Sequence, residues 1–193
     1  MPRVGVEPIR KAALINAAIE AVGRAGSLEV TVAQIARAAG VSSALAHHYF
    51  GTKNQIFLAA MRFILTEYRR AVMAALADTP ADAKGRARVD AIINASFDDG
   101  SFGRDTVAAW LNFYTLALTD PHAARLLAVY RRRLKSNLTH ALRDVCAADA
   151  SRVAATLGAL IDGVYLRASL DPQPPDRAAA VALVMAYLDE VTP

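Results

Sequence analysis

The chain of 193 residues contains a single cysteine, Cys146, so no disulfide can form within it. A chain without disulfides suits a reducing compartment. Runs of β-branched residues with a period of two are nearly absent, which argues against a sheet. No stretch of about 18 uninterrupted apolar residues occurs, and the first residues lack the apolar core of a signal peptide. We therefore expect an all-α protein of the cytoplasm with no membrane span.

Residue combinations that carry catalysis are also missing. The sequence has no Gly-rich phosphate loop, no paired carboxylates at matched spacing and no cluster of metal ligands. Cys146 has no arranged histidine partner. His47 and His48 are adjacent, so on a helix their side chains diverge by about 100° and do not form a metal pair. We expect no catalytic residues, no cofactor and no metal.

Positive charge is unevenly distributed along the chain. The net charge is +4, yet residues 1–77 carry 9 Lys and Arg against 4 Asp and Glu, whereas residues 78–193 carry 13 against 14. The whole positive excess therefore lies in the first part of the chain. Surfaces that bind phosphate groups of nucleic acids need such an excess, although ordinary solvated lysines and arginines would give the same count.

Residues 31–50 predict two short helices joined by a tight turn. Thr31 can cap the first helix, with Gln34 as the second half of a capping box. Gly40 lies where that helix should end in a backbone of positive φ, and Ser42 can cap a second helix of about residues 43–49. This pattern is typical of a helix-turn-helix, whose second helix enters the major groove of DNA.

Apolar residues at helical spacing continue on both sides of this motif. A helix from Pro8 to Gly26 should brace it, and a long helix should run from Thr52 to Ala77. Five further helices are expected over residues 84–97, 104–118, 121–147, 151–170 and 176–191. We divide the chain into an N-terminal three-helix module, residues 1–52, and a larger helical domain, residues 53–193, that begins with the connecting helix.

The last two predicted helices are apolar over more than one stripe. Such a helix must be buried on two sides. Two of them meeting their symmetry mates would form a four-helix dimer interface, although the central helix pair of a monomer would have the same pattern. The residues concerned are Val153, Leu157, Leu160, Ile161, Val164, Leu166, Val181, Leu183, Val184, Tyr187 and Leu188.

The segment 40–53, GVSSALAHHYFGTK, resembles the recognition helix and following turn of TetR-family transcriptional repressors, and residues 31–36 resemble the helix before it. Four stretches further resemble the BetI-type repressors of choline-to-glycine-betaine genes. They are MPRVGV at 1–6, AWLNFY at 109–114, RRRLKSNL at 131–138 and ALIDGVYLRA at 159–168.

The resemblance implies a homodimer that places two recognition helices in successive major grooves of double-stranded operator DNA, and the apolar pattern assigns its interface to the last two helices. It also implies that residues 53–193 bind a small-molecule effector that weakens or releases DNA binding. Carried over by position, the residues at base edges and adjacent phosphates are Ser43, Ala44, Leu45 and His47, and those at the DNA backbone are Thr31, Tyr49 and Lys53. Most family members have Tyr at the position of His47.

An effector such as choline or betaine aldehyde would imply a pocket with aromatic faces. Trp110 and Tyr114 share one face of a helix at i, i+4, and Phe97 or Tyr165 would lie opposite. Asp162, or alternatively Asp98, would add a negative charge. The alternatives are that the aromatic residues belong to the core, that Asp162 pairs with Arg167, and that the effector is a different small molecule of another pathway.

The run Arg131, Arg132, Arg133 stands apart from these motifs. Successive helix positions spread the three side chains over about 200°. We therefore expect a solvated surface with an ion pair or two, and not one basic patch.

Overall fold

The computed structural model describes residues 5–80 and 85–192, and each regular element in these ranges is an α-helix. The all-α prediction is confirmed. The described part excludes residues 1–4, 81–84 and 193. Most of the stretch MPRVGV and the helix start expected at residue 84 therefore lie outside it. The helices are α1 Val6–Ala25, α2 Val32–Ala38, α3 Ser43–Phe50, α4 Lys53–Asp78, α5 Gly85–Ser96, α6 Arg104–Leu116, α7 Pro121–Cys146, α8 Ala150–Leu170 and α9 Arg177–Val191.

Side-chain caps set the starts of α2, α3 and α4, as the sequence predicts. The Thr31 hydroxyl accepts from the Gln34 amide at 3.2 Å while the Gln34 side-chain oxygen accepts from the Thr31 amide at 2.7 Å. The Ser42 and Thr52 hydroxyls each accept from the backbone N–H three residues on, at 3.2 and 3.3 Å. These bonds satisfy amide groups that a helix start otherwise leaves unpaired.

Some helix ends differ from the expected bounds by one or two residues. Helix α1 begins at Val6 and not at Pro8, since a proline in the first turn has no N–H to lose. Helix α6 ends at Leu116 and not at Leu118. There the amides of Thr119 and Asp120 both donate to the Leu116 carbonyl, and the Asp120 carboxylate then caps α7 by accepting from the Ala123 amide at 3.0 Å.

Helix α4 joins the two parts of the molecule because it contacts α1 and α3 as well as α5, α6 and α7. A second connection runs between α1 and α6. At that crossing Gly23 lies directly against the backbone of Asp105, where a Cβ on Gly23 would stand 2.5 Å from the Asp105 carbonyl oxygen. Only a glycine permits this approach, so the two helices are in backbone contact.

Within the described ranges, α8 is the one helix long and apolar enough to cross a bilayer by length and composition. It packs against α6, α7 and α9. Val153, Leu157 and Ile161 of α8 are buried in the common core, and Asp162 and Arg167 interrupt its apolar sequence. Helix α8 thus packs against the core of the C-terminal part along one side.

Candidate DNA interface and effector cavity

The turn between α2 and α3 has a fixed geometry. Gly40 adopts φ 68°, and the amides of Gly40 and Val41 donate to the carbonyls of Arg37 and Ala36 at 3.2 and 3.0 Å. This pair of bonds is the Schellman motif, in which a left-handed residue ends a helix and satisfies its last carbonyls. The angle at which α3 leaves α2 is therefore set by the backbone and does not depend on DNA.

Helix α3 buries Ala46 and packs Tyr49 and Phe50 partly against the core, so only part of its surface faces outward. Of the four residues expected at base edges and adjacent phosphates, Ala44 and His47 are exposed while Ser43 and Leu45 are half-buried. The buried Ala46 packs in the same core as Ile35 and Ala36 of α2. The exposed side of α3 is thus free to meet another surface.

The ring of His47 makes a bond within its own turn. Its Nδ1 lies 2.8 Å from the carbonyl oxygen of Gly51. Because a carbonyl oxygen only accepts, Nδ1 carries the proton and donates. The neutral ring then offers Nε2 as an acceptor alone, so His47 donates to a phosphate through Nε2 only as the imidazolium. This constraint could not be read from the sequence.

Each of the residues expected at the DNA backbone makes a contact within the module. The Thr31 hydroxyl belongs to the capping box and donates to the Gln34 side-chain oxygen at 2.9 Å. The Lys53 ammonium donates to the Leu28 carbonyl at 3.2 Å. The half-buried Tyr49 ring lies 5.5 Å from the Lys11 ammonium.

A cavity of about 190 Å³ lies between α6, α7 and α8. It brings together four of the five predicted effector residues: Trp110, Tyr114, Asp162 and Tyr165. The rings of Trp110 and Tyr114 meet edge to face, with centroids 5.4 Å apart. Both rings lie on the same face of α6, as the i, i+4 spacing of the two residues predicts.

Phe97 does not line this cavity. It is fully buried and stacks on Tyr165 with the centroids 5.8 Å apart, so it supports the ring that does. Asp98, the alternative to Asp162, uses its carboxylate to accept from the Ser101 amide at 2.9 Å. The loop after α5 therefore fixes Asp98 away from the cavity.

Asp162 supplies the negative charge of the cavity. Its carboxylate accepts from the Tyr130 hydroxyl at 3.2 Å and lies 3.9 Å from Nε of Arg131. Burial raises the pKa of Asp162, and the nearby Tyr114 hydroxyl, the hydrogen bond from Tyr130 and the charge of Arg131 oppose that rise. Asp162 does not pair with Arg167, which was the alternative from the sequence.

The Tyr114 hydroxyl is buried and has no partner at hydrogen-bond geometry among the described residues. Burial, and after it the nearby charge of Asp162, raise the pKa of Tyr114. A buried hydroxyl without a partner costs free energy. The cavity therefore holds an unused donor beside a carboxylate.

Sequence reasoning missed Tyr130 and Arg131 at this site. Tyr130 meets the Trp110 ring edge to face at 5.4 Å, and the Arg131 guanidinium lies 5.4 Å from the centre of the Tyr114 ring. Both are on α7, and only the packing of α7 against α6 and α8 brings them here. The three successive arginines reach three different surfaces, because Arg132 lines a pocket beside α5 and Arg133 a groove beside α4.

The outer sides of α8 and α9 remain uncovered in the single chain. Leu166, Leu170 and Leu183 are 47%, 70% and 52% exposed. Ala159 and Ala182 are exposed beside them. Exposed apolar residues grouped on one surface are typical of sites where proteins associate.

The known proteins that this chain resembles, in its N-terminal and in its C-terminal part, are transcriptional regulators. Residues 85–193 match the family described as BetI-type transcriptional repressor, C-terminal, and residues 14–60 match the bacterial regulatory proteins of the tetR family. The HTH-type transcriptional regulator BetI of Brucella suis is 49% identical, with 97% of this chain and 94% of that protein covered. The BetI regulator of Rhizobium meliloti is 47% identical, with 98% and 92% covered.

Solved structures show the same fold. A putative transcriptional regulator from Pseudomonas aeruginosa PAO1 superposes with a TM-score of 0.81 at 25% identity, covering 98% of this chain and 93% of that one. A putative transcriptional regulator from Saccharomonospora viridis, solved in complex with choline, has a TM-score of 0.80 at 22% identity, covering 93% and 95%.

The match over most of the C-terminal part and the whole-length identity to BetI regulators settle the family. Its members are DNA-binding transcriptional regulators and not enzymes. The chain belongs to the BetI-type transcriptional repressors of the TetR family.

Proposed function

We propose that this repressor controls genes of glycine betaine synthesis from choline and that choline, or the related betaine aldehyde, binds in the cavity between α6, α7 and α8. The observation that carries this proposal is the carboxylate of Asp162 set among the rings of Trp110, Tyr114 and Tyr165. A quaternary ammonium group is bound by aromatic faces, and a nearby negative charge adds to that attraction. The solved relative in complex with choline supports the same class of effector.

The Arg131 guanidinium indicates where the ligand cation would lie. It sits near the face of Tyr114 and near the Asp162 carboxylate, which are the two groups that attract a cation. Its side chain is 57% exposed and can turn out toward solvent. We therefore infer that effector binding displaces Arg131 from this position.

For DNA we propose the division made from the sequence. Residues 1–52 bind the operator, with Ser43, Ala44, Leu45 and His47 of α3 at base edges and adjacent phosphates. Thr31, Tyr49 and Lys53 contact the DNA backbone. The exposed side of α3 and the positive excess of this part of the chain support the assignment.

Residues 53–193 bind the effector and hold the dimer through α8 and α9. The uncovered leucines at positions 166, 170 and 183 support this interface. A pair of α3 helices held at a fixed separation is what a palindromic operator requires. As a regulator of genes, the dimer acts in the cytoplasm.

The link between the two sites is the contact between α1 and α6. Helix α6 carries Trp110 and Tyr114, and its first turn lies against Gly23 of α1. Because these backbones touch, a shift of α6 on effector binding must move α1. Movement of α1 changes the separation of the two α3 helices in the dimer, so the dimer no longer fits both half-sites.

Isothermal calorimetry with choline tests the effector assignment. We expect choline to bind roughly thirtyfold more tightly than its neutral isostere, in which carbon replaces the nitrogen, because a desolvated cation–aromatic contact contributes about 2 kcal/mol. Trp110→Ala and Tyr114→Ala should weaken choline binding, whereas Tyr49→Ala, which removes a ring outside the cavity, should not. Equal binding of choline by the Trp110→Ala protein would overturn the assignment.

A further inference from the structure

A groove of about 500 Å³ runs along the surface between α4 and α7, separate from the effector cavity. Apolar side chains line its walls. Two of these side chains, Met73 and Val129, are 55% and 37% exposed. On α4 and on α7, the apolar residues that line the groove recur at helical spacing. The apolar residues that line the groove are Leu65, Val72, Met73, Leu126, Val129 and Leu134.

Three arginines stand at the rim of this groove. Arg62 and Arg69 lie seven residues apart on α4, and Arg133 faces them from α7. All three are exposed. Within residues 5–80 and 85–192, none of the ion pairs involves them, and the lining of the groove includes no carboxylate. The groove therefore combines an apolar floor with uncompensated positive charge.

The groove and the cavity share one wall. Tyr68 and Tyr130 line the groove, and their rings meet edge to face at 5.4 Å. On the far side of that wall the Tyr130 hydroxyl donates to Asp162. A ligand in the groove would therefore meet arginines, whereas a ligand in the cavity meets Asp162.

We propose that the groove between α4 and α7 binds a single-chain alkyl carboxylate, with its carboxylate at the arginines and its chain along the apolar floor. The volume lies in the range of small-molecule sites. From Arg62 to Met73 the α4 wall is about 16 Å long at the rise of an α-helix, enough for a chain of medium length. Guanidinium groups bind carboxylates through paired hydrogen bonds. This ligand has the opposite charge to the effector of the proposed function, and the inference does not depend on that function.

Calorimetric titration of the full chain with dodecanoate, below its micelle concentration, tests the inference. We expect saturable binding of one molecule per chain. Octanoate should bind more weakly, by up to about fourfold for each methylene removed, the factor that corresponds to about 0.8 kcal/mol per buried CH₂. Dodecyltrimethylammonium, which has the same chain and a positive head, should bind at least tenfold more weakly. These comparisons use the unaltered protein and do not depend on the folding of a variant.

The double variant Arg69→Glu, Arg133→Glu should weaken dodecanoate binding at least tenfold and leave choline binding unchanged. Arg125→Glu makes a matched charge reversal on α7 outside the groove and should bind dodecanoate as the unaltered chain does. Three results would overturn the inference: equal binding of both alkyl ligands, competition between dodecanoate and choline for one site, or binding to anionic phospholipid vesicles without binding to monomeric dodecanoate. The last would assign the groove to a membrane surface instead.

Discussion

The guanidinium of Arg131 lies 5.4 Å from the centre of the Tyr114 ring, on α7 and α6 respectively. In the effector site that we propose, the arginine occupies the place that the aromatic wall and Asp162 would offer to a ligand cation. Arg131 would therefore compete with the effector for that site.

Replacement of Arg131 should therefore raise the affinity for choline. In Arg131→Gln the side chain keeps its approximate length and loses its charge, so choline no longer displaces a cation and is no longer repelled by one. We expect an increase of about fivefold in affinity, measured by calorimetry, since the repulsion between two like charges about 5 Å apart falls to about 1 kcal/mol when water screens them. Arg132→Gln, one residue along on another surface, serves as the control. Weaker binding by Arg131→Gln would show that Arg131 contacts the effector.

Choline binding should depend on pH through Asp162. Burial raises the pKa of this carboxyl above its ordinary value of 3.8. A proton and choline compete for the same carboxylate, so choline affinity falls as the pH is lowered through the Asp162 pKa and is constant above it. Asp162→Asn should bind choline at least tenfold more weakly at pH 7 and lose the pH dependence. If the dependence persisted in Asp162→Asn, another group would be responsible.

The ionised Asp162 carboxylate favours choline binding but lowers the stability of the folded protein. The folded protein holds the Asp162 proton more tightly than the unfolded chain, so the ionised carboxylate opposes folding at neutral pH. Asp162→Asn should therefore fold with a melting temperature no lower than that of the unaltered chain. A thermal melt at pH 7 makes this comparison, and it separates the loss of choline binding from a loss of structure.

Thr31 caps α2 and is also predicted to contact the DNA backbone, and three substitutions separate the two roles. Asn and Asp both replace a threonine cap well, whereas Ala lowers the stability by about 1 kcal/mol. Thr31→Ala should lower the melting temperature, and Thr31→Asn should not. Thr31→Asp should keep the stability and yet weaken operator binding, because its negative charge faces phosphates. Unchanged operator binding by Thr31→Asp would remove Thr31 from the interface.

The dimer interface can be tested at one exposed leucine of α9. Leu183→Glu places a charge on the uncovered side of α8 and α9, and we expect the dimer to dissociate into monomers in sedimentation velocity. Leu118→Glu is the matched control, because Leu118 is 83% exposed, follows the end of α6 and belongs to neither α8 nor α9. A stable dimer of Leu183→Glu would locate the interface elsewhere.

The helix-turn-helix could be predicted because its signals are local. Thr31, Gln34 and Gly40 act within one or two turns of chain, and the structure contains the capping box and the left-handed glycine that they indicate. The pairing of Trp110 with Tyr114 was predictable for the same reason, since i and i+4 share a face in any helix.

The remainder of the effector cavity depends on how helices cross. Tyr130 and Arg131 are adjacent on α7, and one of them is buried while the other is exposed. Their common role at Asp162 follows from the packing of α7 on α8, which spacing along one helix does not encode. Phe97 illustrates the converse, because an aromatic residue close to the cavity supports a ring of its wall without lining it.

The most direct test of the account is binding of the purified dimer to DNA from upstream of its own gene, measured by fluorescence anisotropy with and without choline at one salt concentration. We predict tight binding to this DNA, a marked loss of affinity on addition of choline, and no response to choline in the Asp162→Asn protein. Binding that choline leaves unchanged in the unaltered protein, at a concentration shown by calorimetry to saturate the cavity, would contradict the account.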